Sequence, residues 1–320
     1  WDAGLDFSIW KNRLRGSLDY FIKDTRDLLL ALPVPATNGV SFLTQNVGTV
    51  RNQGFEFALS ADIFRGAFQW TVQVNGATLK NKILRLADDD GDGADDDFVT
   101  NDRMLYRTGE SVGSFFLVEY AGVDPANGDA LFYDLAENKL SNQAPASNRK
   151  IVGKSVPSFT GGFSNTFRFK NFDLSAFFHF KTGHKIYLEH SQLEIGDNMS
   201  GGLNQLKSQL NAWTETNPDT DVPQARLGKI NGSQPSTRYL EEAAYLRLNH
   251  LTFGHTFNKL GRWSATLRIF AAAQNLLTIT AFGGLDPDAE FYPADDSGQG
   301  AVRYNLPAAR TYTFGFNVDF

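Results

Sequence analysis

Cysteine is absent from the 320 residues, and methionine occurs only twice. The lack of cysteine excludes a disulfide framework and any metal site built on thiolates, but it leaves the cellular compartment open. No run of apolar residues approaches the roughly 20 that a transmembrane helix requires. A membrane-spanning β-strand needs only about ten residues, with every second one apolar. The net charge of −6, without a basic stripe, argues against a nucleic-acid partner.

Phenylalanine and glycine are abundant instead, with 27 and 29 copies, which favours β-structure with exposed turns. Apolar and polar side chains alternate with a period of two along much of the chain. The clearest case is the last segment, in which one face carries Tyr312, Phe314, Phe316, Val318 and Phe320. The pattern predicts about nine strands, near 1–9, 13–23, 55–63, 68–75, 158–169, 172–181, 244–257, 266–274 and 311–320.

The strand near 244–257 changes phase around His250, which predicts a β-bulge there. The connections between strands fall into two alternating sets. The short ones lie at 10–12, 65–66, 170–171 and 258–262, and the long ones at 28–50, 81–157, 187–243 and 278–309. Short turns on one rim and long loops on the other are typical of outer-membrane β-barrels, in which the long loops lie outside the cell.

A soluble β-sandwich is the alternative fold, because its strands also alternate and their aromatic faces would form a packed core. The sorting of the loops and the terminal Phe320 favour the barrel. A barrel made by one bacterial chain has an even number of strands and begins in the periplasm. Nine strands that end in the periplasm would begin outside, so we expect residues 1–320 to be one part of a larger barrel.

Several motifs along the chain resemble those of SusC/RagA-type TonB-dependent transporters. The most extended motif runs from Ala244 to His255 and reads AYLRLNHLTFGH. Others, in the order of that family, are GLDF at 4–7, TRDLL at 25–29, NVGTVRNQGFE at 46–56, PSFTGGF at 157–163, QNLLT at 274–278, GLDPD at 284–288 and RTYTFG at 310–315. Each motif is weak alone, but together they span the chain.

The resemblance implies an all-β fold, a transmembrane antiparallel β-barrel of about 22 strands, of which this chain would supply the nine C-terminal ones. It implies a plug domain and earlier strands outside this chain, energy from the TonB complex through that missing part, and a SusD-like surface lipoprotein as a lid. The barrel would sit in outer-membrane lipid with its long loops extracellular and would import an oligosaccharide or a peptide. A siderophore or cobalamin receptor, also TonB-dependent, and a non-transporting surface glycan-binding β-protein remain the alternatives.

An acidic run at 88–97 predicts a Ca²⁺ site. Asp88, Asp90 and Asp92 fit alternate ligand positions of a calcium loop, Asp96 fits a later one, and the Ala94 carbonyl would complete the set. Val99 stands where such a loop normally has a bidentate Glu, so the site would be weak. The alternative is a solvated acidic loop.

Aromatic side chains in the long loops are candidates for ligand contact, because rings stack on sugars and grip peptide side chains. They include Phe115, Tyr120, Tyr133, Tyr187, Trp213, Tyr239, Phe282 and Tyr292. Packing within the loops or against a lid protein is the alternative for each. Catalysis gains no support, since the five histidines show no metal-ligand spacing and no nucleophile, P-loop or dinucleotide motif occurs. We therefore predict that the protein is not an enzyme.

Overall fold

The structure is a computed structural model of the whole chain. It describes residues 1–33, 42–46, 48–88, 91–100, 102–141, 144–189, 198–199, 204–227, 231–258, 265–289, 300–303 and 305–319. No helix within these residues is long and apolar enough to cross a membrane.

Nine strands form one antiparallel meander in which each strand pairs with the next one along the chain. Their bounds are β1 Asp2–Ile9, β2 Leu14–Arg26, β3 Thr49–Arg65, β4 Phe68–Thr78, β5 Phe159–Phe169, β6 Phe172–Thr182, β7 Tyr245–Asn258, β8 Thr266–Thr280 and β9 Thr311–Asp319. A tenth strand, Lys80–Arg85, continues β4 and pairs with the start of β3. The predicted strands are thus confirmed, and several are longer than the sequence pattern indicated.

The predicted alternation of links is also confirmed. Residues 10–13, 66–67 and 170–171 join their strands by tight turns, whereas 27–48, 79–158, 183–244 and 281–310 are long. In the first turn Trp10, Lys11 and Asn12 all have positive φ, between 52° and 60°. The fourth short link, 259–265, lies almost entirely outside the described residues, as do the predicted strand end Phe320 and the ligand candidate Tyr292.

The register of the sheet gives it two chemically distinct faces. One row across it runs through Asp19, Glu56, Ala77, Thr160, Lys181, Tyr245 and Thr280. Side chains of this row and of every second row share the polar face, which we call the inner wall. The opposite face carries the large apolar side chains, and many are exposed, with Phe55, Phe314 and Phe316 at 61%, 82% and 72%.

The predicted bulge is present. The pairing of β7 with β8 shifts register between Leu248 and His250, and the pairing of β6 with β7 shifts between Phe177 and Phe178. Asn275, on the strand opposite, has a φ of 51°, and its side-chain carbonyl accepts a 3.2 Å hydrogen bond from the Asn249 amide. The extra residue keeps Arg247 and His250 on the inner wall although they are an odd number of positions apart.

The long links carry short strands of their own. Four of these, Lys150–Lys154, Ser114–Leu117, Met104–Tyr106 and Phe98–Thr100, form one small sheet, and Tyr120–Val123, Ala130–Tyr133 and Lys139–Ser141 form another. A third sheet joins Leu240–Glu242, Lys185–Leu188 and Ala301–Val302. Two-stranded pairs link Leu29–Pro33 with Phe42–Asn46 and Asn198–Met199 with Arg226–Leu227, and short 3₁₀ helices lie at Ala146–Asn148, Lys207–Asn211 and Thr237–Tyr239.

The apolar cores of the described residues lie in these links and at the adjoining strand ends. One core comprises Met104, Phe115, Leu117, Tyr187, Tyr239 and Ala301, and another comprises Ile186, Leu188, Ala243, Phe282 and Val302. The middle of the nine-stranded sheet contributes to neither. Its aromatic face therefore does not show the packed core that the β-sandwich alternative requires.

Candidate functional site

Charged side chains cluster on the inner wall near the long-link ends of β6, β7 and β8. Arg247 forms an ion pair with Asp286, and the two side chains are only 5% and 7% exposed. Lys181 Nζ lies 2.7 Å from an oxygen of Asp288. Arg247 and Lys181 are wall residues, whereas both carboxylates come from the link that follows β8. The cluster therefore joins the wall to this link.

Further polar contacts surround this cluster. Arg247 Nε donates a 3.0 Å hydrogen bond to Thr278 Oγ1, which lies opposite it on β8. The His179 ring lies 3.1 Å from the Tyr245 hydroxyl and 3.4 Å from Asp288. Asp286 accepts 2.9 Å hydrogen bonds from the backbone N–H groups of Asp288 and Ala308. A buried ion pair is stable only when its other hydrogen-bonding positions are filled, and Thr278 and the two backbone N–H groups fill several of them here.

Burial opposes the ionised form of Asp286 and alone would raise its pKa. The hydrogen bonds from the Ala308 and Asp288 N–H groups and from Arg247 outweigh burial and hold the pKa of Asp286 below its ordinary value. For Asp288, burial is likewise outweighed by Lys181, Tyr245 and His179, and the pKa is again lowered. Both carboxylates are thus charged at neutral pH, and the cluster holds its ion pairs there.

A shallow concavity of about 540 Å³ lies beside the cluster on the inner wall. Small residues, Ala58, Ala77 and Gly162, line it in the middle, with Asp19 and Glu56 at one flank and His179 and Lys181 at the other. Asp19 and Glu56 are direct cross-strand neighbours. The concavity therefore has carboxylates on one side and cationic or ionisable groups on the other, and Phe57, Phe177 and Phe180 also line it.

The calcium prediction falls on a partly described loop. Asp88 accepts backbone hydrogen bonds from Gly91 at 2.7 Å and Gly93 at 2.9 Å, and Asp92 accepts one from Ala94 at 2.7 Å. Asp96 donates its backbone N–H to the Ala87 carbonyl at 2.8 Å. Asp90 lies outside the described residues, and among those described no three acidic or histidine side chains are grouped as metal ligands. Calcium binding stays a prediction.

Hydrogen exchange provides its test. We expect about 10⁻³ M Ca²⁺ to slow amide exchange across 86–100 if the loop binds at the strength of open extracellular sites, because the ion would relieve carboxylate repulsion. Asp92→Asn should remove this response. Asp124→Asn, in a separate turn where Asp124 accepts the Ala126 N–H at 2.9 Å, is the matched control. Equal exchange with Ca²⁺ and with chelator would leave a solvated acidic loop.

The structure places most of the aromatic ligand candidates inside the long links. Phe115, Tyr187 and Tyr239 are completely buried in one core, and Phe282 is 7% exposed in another. Trp213 is 8% exposed and donates its indole N–H to the Pro125 carbonyl at 3.1 Å. Tyr120 and Tyr133 are half-buried. Burial gives the first five side chains a packing role, and ligand contact by any of the eight stays a prediction.

Sequence reasoning missed the Arg247 cluster. GLDPD at 284–288 was noted only as a motif. The sequence did contain one signal for the cluster, because Arg247 occupies an inward position of a strand, and a charge that is buried there requires a partner. The sequence offers no means to choose among the acidic residues of several long links.

Comparison with known proteins agrees with this architecture. A profile described as "TonB dependent receptor-like, beta-barrel" matches residues 1–189. The whole chain is 36% identical to TonB-dependent receptor P3 of Formosa agariphila and 26% identical to TonB-dependent receptor SusC of Bacteroides thetaiotaomicron, covering 34% and 31% of those proteins. A solved structure of the RagAB peptide transporter matches 98% of the chain with a TM-score of 0.84 and 28% identity, over 34% of the matched chain.

This chain belongs to the TonB-dependent receptor-like β-barrel family, whose members are outer-membrane proteins. The resemblance to the SusC/RagA type is confirmed by the likeness to SusC and to the RagAB structure. The chain spans about a third of the length of these relatives.

Proposed function

We propose that this protein forms part of a TonB-dependent importer that carries a nutrient oligomer, an oligosaccharide or a peptide, across the bacterial outer membrane. Residues 1–320 would supply the C-terminal strands of its barrel. The observation that carries the proposal is the division of the nine-stranded sheet into an exposed aromatic face and a polar inner wall. Such a sheet fits a barrel with lipid outside and an aqueous or plug-filled interior.

The long links would lie outside the cell, where they would meet the ligand and a SusD-like surface lipoprotein. Their cores support this role, because a link with its own buried core can present a fixed surface to a partner. Energy would come from the TonB complex through a part of the protein beyond this chain. No enzymatic step is proposed.

Uptake of labelled oligomers tests the proposal. We expect disruption of the gene to reduce uptake of either a defined peptide mixture or a defined oligosaccharide mixture, and loss of TonB to reduce it equally. One structural relative is the RagAB peptide transporter, and oligosaccharides are the other ligand class that the SusC/RagA resemblance implies, so both mixtures are tested. Unchanged uptake of both classes, with the protein present in the outer membrane of the parent strain, would contradict the proposal.

Purification from mild detergent distinguishes the proposal from a siderophore or cobalamin receptor. A tagged copy of the native protein should co-purify with a surface lipoprotein in about equal amount. Recovery without a lipoprotein, together with a growth defect only under iron or cobalamin limitation, would favour the alternative receptor.

A further inference from the structure

The long link after β8 is bound to the inner wall instead of extending only away from the rim. Asp286 and Asp288 of this link pair with Arg247 and Lys181, whose side chains share a face with Asp19 and Glu56 by the register of the sheet. Both partners of the Arg247–Asp286 pair are almost fully buried. The start of the link therefore lies against the inside of the sheet.

Further contacts hold the same link in place. Strand Ala301–Val302 pairs in parallel with Tyr187–Leu188, which lie just beyond the end of β6. The link that leaves β8 therefore contacts the chain that follows β6, with β7 between these two strands in the sheet. Further along the link, the Ala308 N–H donates a hydrogen bond to Asp286. Phe282 packs against Ile186, Leu188, Ala243 and Val302, and the Gly283 N–H donates a 2.6 Å hydrogen bond to Glu241.

We propose that residues 281–289, 300–303 and 305–310 form an inner strap that narrows the substrate path at the long-link end of the barrel. Arg247 is its positioning residue. This inference rests on the import function proposed above. Buried ion pairs add little net stability, and the role of this pair in the proposal is to hold the strap in one geometry. A strap with one geometry sets a fixed limit on the size of an imported oligomer, which a freely moving loop does not.

The test uses the native protein with Asp286→Asn, which removes the charge but keeps the shape of the side chain. Asp173→Asn is the control, because Asp173 forms a more exposed inner-wall ion pair with Arg268 at 2.6 Å, near the short-turn rim. Exchange of the Asp288 and Ala308 amides should accelerate by about tenfold or more in Asp286→Asn, since a charged acceptor is lost. Asp173→Asn should leave both amides unchanged.

Uptake of a ladder of oligomers gives the functional result. With Asp286→Asn we expect longer oligomers to enter than with the unaltered protein or with Asp173→Asn. An unchanged size limit, despite faster exchange of the strap amides, would overturn the inference. Exchange that does not change in Asp286→Asn would overturn it too, since the ion pair would then not hold the strap. Absence of uptake by the unaltered protein would instead refute the proposed function, while the exchange result would still report on the strap.

Discussion

Replacing Val72 with arginine is expected to destabilise the folded protein in lipid by about 2–4 kcal/mol if the site lies near the bilayer midplane. Val72 lies on the apolar face of β4, opposite Ala61 on one side and Asn165 on the other. A guanidinium at that position has to be buried in hydrocarbon unless its side chain extends to the membrane–water interface. The measurement is equilibrium unfolding by denaturant in lipid vesicles.

Gln73 provides a control one residue away on the same strand. Its side chain is exposed on the inner wall and accepts a hydrogen bond from Ser164 Oγ at 3.3 Å. Gln73→Arg should lower the free energy of unfolding much less than Val72→Arg does, because a charge on the inner wall stays in polar surroundings. The same contrast is expected between Phe57→Arg and Ser60→Arg and between Phe178→Arg and Ser175→Arg. Equal costs on the two faces would mean that the apolar face is not in contact with lipid.

Arg247→Ala is expected to lower the free energy of unfolding by about 3–5 kcal/mol, since it leaves a buried carboxylate without its partner. The comparison is Arg268→Ala. Its pair with Asp173 leaves the two side chains 29% and 28% exposed, against 5% and 7% for Arg247 and Asp286, so water screens it and about 1 kcal/mol or less is expected. Similar costs for the two variants would contradict the burial of the Arg247 cluster.

The cost of Arg247→Ala should also depend on pH. Because the pKa of Asp286 is lowered in the folded state, its ionised form contributes stability above its ordinary pKa of 3.8, and this contribution is lost as the pH falls through the folded-state pKa. The difference between Arg247→Ala and the unaltered protein should therefore shrink in acid. A double variant, Arg247→Met with Asp286→Asn, should recover part of the lost stability, since no carboxylate charge remains buried and the side-chain oxygen of the introduced asparagine can still accept a backbone N–H in place of the carboxylate.

The nine strands could be predicted because each is long enough to show its period of two. In β9, for example, four apolar side chains from Tyr312 to Val318 alternate with polar residues or glycine, and this pattern depends only on local sequence. The bulge was visible for the same reason, because one extra residue shifts the phase. The sorting of tight turns and long links also followed from counting residues between strands.

The contents of the long links could not be predicted in this way. Strands such as Met104–Tyr106 and Tyr120–Val123 are too short to show a period. Their aromatic residues resemble exposed ligand contacts in sequence, yet Tyr187 and Tyr239 meet each other in a core with ring centroids 6.1 Å apart. Arg247 and Asp286 are separated by 39 residues, and only the folded chain brings them together.

A single-cysteine spin-label scan along β6 tests the central claim, that one face of this sheet meets lipid and the other lines the interior. The chain has no cysteine, so each introduced label is unique within it. Labels at 172, 174, 176, 178 and 180 should be accessible to oxygen dissolved in the bilayer, and labels at 173, 175, 177 and 179 should be accessible to a water-soluble nickel complex or shielded from both reagents. Oxygen accessibility without alternation, or an aromatic face shielded from both reagents, would contradict the account.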